Sequence, residues 1–365
     1  MIFLVIFIAI LFGGNYFIYI SLVRFFSISD PQYKMWLVVG LFVCGVSFII
    51  ASILAHYAEN IFTRAFYGIS GLLLAIGWNV IIVCIIVWGI VLICHMFACG
   101  MNEKFVATSF LIVALVYSGY GIWCAFHPTV THITLEVKDL PETWKDKTVV
   151  QLSDVHLGHT YGARFLTQVV TAVNKEHPDV VFITGDLFDG MDGALAELID
   201  PLRHMTAPQG VYFITGNHET YLGLDMVTDT LAQTAIQTLD DAVVSVDGMQ
   251  IVGVSYPERG EKKDIAETIH NMQDLDLNKP NILLYHDPSS ARTAKDLGFD
   301  VQLAGHTHRG QLFPFQLITR AIYGRYANGL TREGDFSIYT SRGVGTWGPA
   351  MRTSGRPEIT VIHFK

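Results

Sequence analysis

Cysteine is absent after Cys124. The five cysteines, Cys44, Cys84, Cys94, Cys99 and Cys124, all fall in the apolar N-terminal part of this 365-residue chain. The rest therefore carries no disulfide framework and no thiolate metal site. Charge is scarce where cysteine is not. Residues 1–126 contain four basic side chains (Arg24, Lys34, Arg64, Lys104) and three acidic ones (Asp30, Glu59, Glu103). The whole chain is 51% hydrophobic and 16% charged, too apolar for an ordinary soluble enzyme. Residues 127–365 keep 20 basic and 30 acidic groups, a formal charge of −10. Nucleic acid is not expected as a partner, because phosphate backbones are bound through basic surface. No internal repeat or low-complexity tract is present.

The apolar third divides into four runs, 1–23, 35–57, 69–97 and 105–126. Each is long enough for a helix to cross a hydrocarbon core of roughly 30 Å. Polar breaks at 24–34, 58–64 and 99–104 separate them. The first run lacks a basic start and is long for a cleaved signal, which favours an uncleaved anchor. Tyr16, Tyr19, Trp36, Tyr57, Tyr117 and Trp123 suit interfacial belts. Asn79 and His95 are polar positions in the third run, and helix-to-helix hydrogen bonding is their default reading. With no series of intramembrane acids or bases, a transporter is poorly supported. Arg24, Lys34 and Lys104 in the first and third loops outweigh Arg64 in the second. That predicts a multi-pass protein of the plasma (inner) membrane with residues 128–365 on the extracytoplasmic side, against a weaker pull from Lys138, Lys145 and Lys147.

After His127 the pattern changes to short β-rich runs alternating with helical stretches. Strands are expected at 133–137, 149–152, 180–184, 211–215, 243–246, 250–254, 282–285, 301–304, 336–340 and 358–363. Helices are expected at 163–176, 194–205, 226–234 and 265–272. Five of the strands run into a polar cluster just past their C-terminal ends. The clusters are Asp154-Val155-His156, Gly185-Asp186, Gly216-Asn217-His218-Glu219, Tyr285-His286-Asp287 and Gly305-His306-Thr307-His308. Strand ends in mixed α/β sheets collect such groups because the loops there converge on one crevice.

The donor types suit a pair of divalent cations. Asp-x-His and His-x-His each place two donors at one strand end, and asparagine offers a neutral carbonyl oxygen where a phosphate anion must be admitted. Mixed oxygen and imidazole ligation fits Mn²⁺ best among the alternatives, with Fe or Zn²⁺ also suitable, and Ca²⁺ less so. Two cations about 3.5–4 Å apart can clamp a phosphoryl group and activate water at neutral pH.

In this order the five clusters resemble the calcineurin-like metallophosphoesterase superfamily over about 131–365. The closing stretch Ser341-Arg342-Gly343-Val344-Gly345-Thr346, with Arg356-Pro357-Glu358-Ile359, is similar to its membrane-associated branch, which includes transmembrane proteins with a metallophosphoesterase domain and UDP-2,3-diacylglucosamine pyrophosphohydrolase-like relatives. The apolar runs make residues 1–127 a transmembrane domain, and the resemblance implies that the α/β domain after it, 128–365, is two packed mixed β-sheets flanked by helices. It implies that Asp154, His156 and His308 bind one metal, that Asn217, His286 and His306 bind a second, and that Asp186 bridges them. A metal-bridging hydroxide would attack phosphorus, and His218 would stabilise the transition state or protonate the leaving oxygen. Glu219 stands where many members have aspartate.

Further residues are candidates for substrate contact: His159 and Asp189 by position, Arg342 and Arg352 because arginine grips oxyanions with two donors. For both arginines a structural ion pair is the competing role. Tyr323, Tyr326 and Trp347 default to packing, and His177 to a solvated loop. The anchor points to a phosphorylated substrate at the lipid bilayer, such as a phospholipid or a lipid-linked nucleotide sugar. Two other readings stand beside it, a tethered esterase for soluble organophosphates and a non-catalytic membrane scaffold.

Overall fold

The computed structural model describes residues 2–58, 60–190, 195–258 and 261–365. Met1, Glu59 and Ala194, which open or border expected elements, lie outside them. The chain divides into two compact units, Met1–Trp123 with Gly348–Met351, and Cys124–Trp347 with Arg352–Lys365. This division differs from a boundary at 127/128 in grouping Gly348–Met351 with the helices.

The first unit holds four helices long and apolar enough to cross a membrane: α1 (Ile2–Phe25), α2 (Pro31–Tyr57), α3 (Ile61–Met96) and α4 (Glu103–Ala125). Three begin earlier than hydropathy suggests, because caps and not charge set their starts. Asp30 accepts from Gln32 N ahead of Pro31, so Lys34 falls inside α2. Asn60 and Thr63 form a reciprocal capping box, so α3 starts at Ile61 and not Ile69, with Arg64 in its first turn. The buried positions of α2 and α3 include Gly45, Ala51, Ala55, Ser70, Gly71 and Ala75, small residues that let helices approach in lipid. Asn79 Nδ2 donates to Ser118 Oγ at 2.8 Å and lies 3.5 Å from Met351 Sδ, which fits the helix-to-helix reading of Asn79.

The second unit is an α/β sandwich. Its strands are β1 (Thr129–Leu135), β2 (Thr148–Leu152), β3 (Val180–Thr184), β4 (Val211–Ile214), β5 (Ile236–Thr238), β6 (Ala242–Val246), β7 (Met249–Gly253), β8 (Asn281–Leu284), β9 (Val301–Ala304), β10 (Gly329–Glu333), β11 (Phe336–Thr340) and β12 (Glu358–Phe364). Its helices are α5 (Ala163–Lys175), α6 (Leu195–Leu198), α7 (Asn217–Leu222), α8 (Leu224–Leu231), α9 (Ile265–His270), α10 (Ala291–Leu297) and α11 (Gln316–Tyr323). The expected helix 194–205 is broken: α6 gives way to a 3-10 turn, Asp200–His204, with Pro201 at its start.

One sheet runs β1-β12-β2-β3-β4-β5 and the other β10-β11-β9-β8-β7-β6. Within each, the strands that lead to the polar clusters are parallel neighbours: β2, β3 and β4 in the first, β8 and β9 in the second. The strands are buried on both faces, so they read as continuous apolar runs and not as alternations. The period of two still sorts the side chains. Val181 and Ile183 of β3 pack towards α5 and α8, while Val180 and Phe182 meet Ile282 and Leu284 of β8 between the sheets. Trp144 closes that inter-sheet core, edge-on to Phe364, with its indole N–H donated to Val246 O at 2.8 Å.

Candidate metal centre

Parallel strands bring their C-terminal ends to one edge, and backbone bonds fasten the ends to one another. Asp154 N donates to Gly185 O, His156 N to Asp186 O, and Gly305 N to His286 O. The loops are tight enough to leave no room for a Cβ at two places. A Cβ on Gly305 would stand 1.9 Å from Ser153 Oγ and 2.3 Å from Asp154 Oδ2, and one on Gly216 would stand 2.2 Å from Asp186 Oδ1. The turns are also strained. Asp154, His156, Asp186, His306 and His308 all have φ between 49° and 72°. Left-handed backbone at a non-glycine residue costs roughly 1–2 kcal/mol. Five such costs at one edge are the mark of a site whose geometry the surrounding fold imposes.

The side chains form two clusters. In the first, His156 Nε2 and His308 Nε2 are 2.9 Å apart, and His308 Nε2 is 3.2 Å from Asp154 Oδ1. In the second, His286 Nε2 lies 3.1 Å from Asp186 Oδ2, and His306 Nδ1 donates to Asn217 Oδ1 at 2.9 Å. Asp186 joins them, its Oδ2 also 3.9 Å from His156 Nε2. Asp154–His156–His308 and Asp186–His286–His306 each converge within 4.8 Å, as does a third group, His156–Asp189–His218. All seven residues proposed as ligands are thus brought together.

The donor set fits cations. His286 Nδ1 donates to Thr184 O at 2.7 Å, which turns Nε2 inward. That Nε2 is fully buried and has no hydrogen-bond partner despite the nearby carboxylate. A buried nitrogen left so is costly unless something electropositive faces it. Burial opposes charge on His286, but Asp186 beside it raises its pKa to about 10. Asp186 in turn is pulled well below the usual carboxylate range by His286 and His218, against the effect of its burial. Burial, followed by the neighbouring Arg352, holds His308 well below the ordinary imidazole value, and burial lowers His306 as well.

His218 is half-buried beside the clusters. Its Nδ1–H donates to Asp189 O at 2.7 Å, the Asp189 carboxylate is 3.8 Å from the same nitrogen, and its ring lies edge-on to His156 at 4.5 Å. Its Nε2 is thereby left for other business. Asp189 is buried behind the imidazoles, 3.4 Å from His156 Nδ1, where it orients His156 and His218. His159 is buried too.

Of the two arginines, Arg342 makes an ion pair and Arg352 is held by backbone carbonyls. Arg352 is 1% exposed, and its guanidinium donates to His308 O, Gly345 O and Arg342 O, with Nη2 2.8 Å from His308 Nδ1. It cannot reach a substrate with its donors committed this way. Guanidinium has no lone pair to offer, so His308 Nδ1 accepts; ligation through Nε2 puts a proton on Nδ1 and requires the ring to move off Arg352. Arg342 pairs with the buried carboxylate of Glu358, which also accepts from Tyr339 Oη and Arg342 N.

Glu219 was undervalued by a reading that looked only for ligands. Its carboxylate is completely buried and accepts from Asp186 N (2.9 Å), Gly216 N (2.7 Å) and Phe188 N (3.0 Å). Burial and the Asp186 charge push its pKa up to about 7. The signal was in the spacing: an acid three residues after the residue that starts a helix is the capping-box position. Tyr256 was also missed. Its ring lies 6.1 Å from His286 and 6.3 Å from His306, in a loop that nothing in the sequence sets apart.

Comparison with known proteins agrees with this architecture. Residues 147–310 match the family model described as calcineurin-like phosphoesterase. An uncharacterized metallophosphoesterase of Campylobacter jejuni is 33% identical over 65% of this chain and 63% of its own length. A transmembrane protein with metallophosphoesterase domain from Danio rerio is 32% identical over 70% of this chain and 62% of its own. The chain thus spans less than two thirds of either. The uncharacterized metallophosphoesterase YkuE of Bacillus subtilis is 31% identical over 68% of this chain and 90% of that protein. With the five strand-end clusters in place and a relative matched along nearly its whole length, this chain belongs to the calcineurin-like phosphoesterases, a family of metal-dependent phosphoesterases.

Proposed function

We propose that this membrane protein is a two-metal phosphohydrolase acting on a phosphoester or pyrophosphate bond of a lipid-linked substrate, with its catalytic unit on the extracytoplasmic face. The observation that carries the reading is the pair of donor clusters joined through Asp186, built on backbone strained at five of the seven positions. Asp154, His156 and His308 would hold one cation and Asn217, His286 and His306 the other, with Asp186 between. Two such cations, of which Mn²⁺ suits the mixed oxygen and nitrogen donors, supply charge at the phosphoryl oxygens and lower the pKa of water.

The residues of the chain do the rest. Asn217 contributes a neutral oxygen, so the pocket does not repel the phosphate anion as a third ligand carboxylate would. His218 holds a proton on Nδ1 through Asp189 O, which leaves Nε2 to pass a proton to the departing oxygen. The Asp189 carboxylate lies 3.8 Å from the same nitrogen. For the sidedness, Arg24 and Glu103 pair at 2.8 Å, so the two loops that carry most of the basic charge share one end of the helical bundle.

The test is hydrolysis by the purified, Mn²⁺-loaded full chain of a chromogenic phosphodiester and of a lipid pyrophosphate. His218→Ala should keep its metal and lose about 10²–10⁴ in kcat, the usual contribution of a positioned proton donor. Asp186→Asn should lose metal as well. Wild-type turnover in both variants removes the assignment.

A further inference from the structure

One helix of the sheet domain is inside out. α5 and α11 are both amphipathic, but α5 buries its apolar face (Phe165, Leu166, Val169, Val170 and Val173), whereas no residue of α11 is buried. Leu317, Ile318 and Ile322 are 63%, 54% and 68% exposed. Trp347, 55% exposed, belongs to the same surface, because its backbone N and O are hydrogen-bonded to the Gln311 side chain just ahead of α11. Placing three aliphatic side chains in water forgoes the free energy of burying them. A monomeric soluble domain has no reason to do so.

The charge around this patch runs against the rest of the domain. Residues 301–332 contain four arginines (Arg309, Arg320, Arg325, Arg332) and no acid, within a domain of formal charge −10. Arg325 and Arg332 are paired with Glu333 and Glu136, which leaves Arg309 and Arg320 as the surplus. An exposed apolar face with basic flanks is the composition of a helix that lies in the plane of a lipid interface. A bilayer is at hand whichever way the domain faces. Only residues 126–128 separate α4 from β1, a reach of about 14 Å at full extension. The patch also adjoins the metal centre. α11 follows the His306–His308 loop, and its last residue, Tyr323, lies edge-on to His306 at 6.1 Å between ring centres.

We infer that α11 is an interfacial segment: Leu317, Ile318, Ile322 and Trp347 dip into an anionic bilayer surface and present a lipid-borne phosphate to the centre beside Tyr323. The membrane contact stands on the exposed face, and the delivery of substrate rests on the function proposed above.

The test uses the full chain in phosphatidylglycerol-containing nanodiscs. With benzoylphenylalanine in place of Ile318, irradiation should give phospholipid adducts well above those from the same group at the exposed Lys262. Equal yields overturn the membrane contact. Replacing Leu317, Ile318 and Ile322 together by Glu should lower the ratio of lipid-phosphoester to soluble-diester turnover about tenfold, as expected when apolar insertion is lost. An unchanged ratio overturns delivery. If wild type hydrolyses neither substrate, the catalytic reading fails, and the adduct yields alone decide the interfacial role.

Discussion

Single residues here act through position more than through type. Glu219 is the clearest case: one carboxylate holds three N–H groups of two different ligand loops. Glu219→Gln replaces one acceptor oxygen by an NH₂ that faces those donors. It should cost about 1–3 kcal/mol per stranded N–H, read as a lowered denaturation midpoint with metal uptake impaired. Gly305→Ala should act more locally. Its methyl cannot avoid Asp154, so the occupancy of the Asp154–His156–His308 cluster should drop while the fold survives, as metal analysis and circular dichroism would show. His286 makes the site's pH dependence predictable in sign. Its pKa in the folded, metal-free protein is about 10 against an ordinary 6.5. The stabilisation it draws from Asp186 is therefore complete below about pH 6.5 and is lost as pH rises towards 10. Thermal unfolding of the metal-free protein should weaken over that interval. A cation must displace the same proton, so uptake at pH 7 should acidify a weakly buffered solution, and affinity should grow as pH rises. The seven candidate donors stand out in the sequence because their types and order are informative, and the fold gathers them at one edge. Glu219 and Asp189 could not be ranked, because what they touch comes from other strands.

At the scale of elements, periodicity and caps explain what could and could not be foreseen. β2, β3, β4, β8 and β9 stand out in the sequence as apolar runs ending in glycine or polar clusters, since burial on both faces removes polar residues from them. β5, β10 and α10 do not: each is short, and its formation depends on neighbours already in place. α11 is not among the helices expected from the sequence, and that its apolar side chains face outward is revealed only by coordinates. The starts of α2 and α3 were misplaced because Arg and Lys look like breaks in hydropathy, whereas Asp30 and Asn60 set the first turns. The bundle gives its own prediction. Asn79→Leu removes the bond to Ser118 and should weaken helix association by about 0.6–1.7 kcal/mol, the range for interhelical hydrogen bonds in lipid, as measured by unfolding in mixed micelles. Gly45→Leu should do more harm, since even a Cβ there would stand 2.7 Å from Asn15 Nδ2.

For the whole molecule, metal and fold are thermodynamically linked. Chelation should lower the unfolding midpoint of the sheet domain, and cation at a hundredfold excess over its dissociation constant should restore about 2.7 kcal/mol. The strand order β1-β12-β2 carries a further consequence. The partner of β2, the strand that leads to Asp154, is drawn from Glu358–Phe364, more than two hundred residues downstream. While the chain is being made, the four apolar helices can already occupy the bilayer, but this sheet stays split until the ribosome has passed residue 364. A nascent chain halted before that point would be anchored yet without a finished pocket, exposed to surveillance proteases and unable to bind cations in place. The candidate metal centre would thus be completed only after β12 has been made, by topology alone.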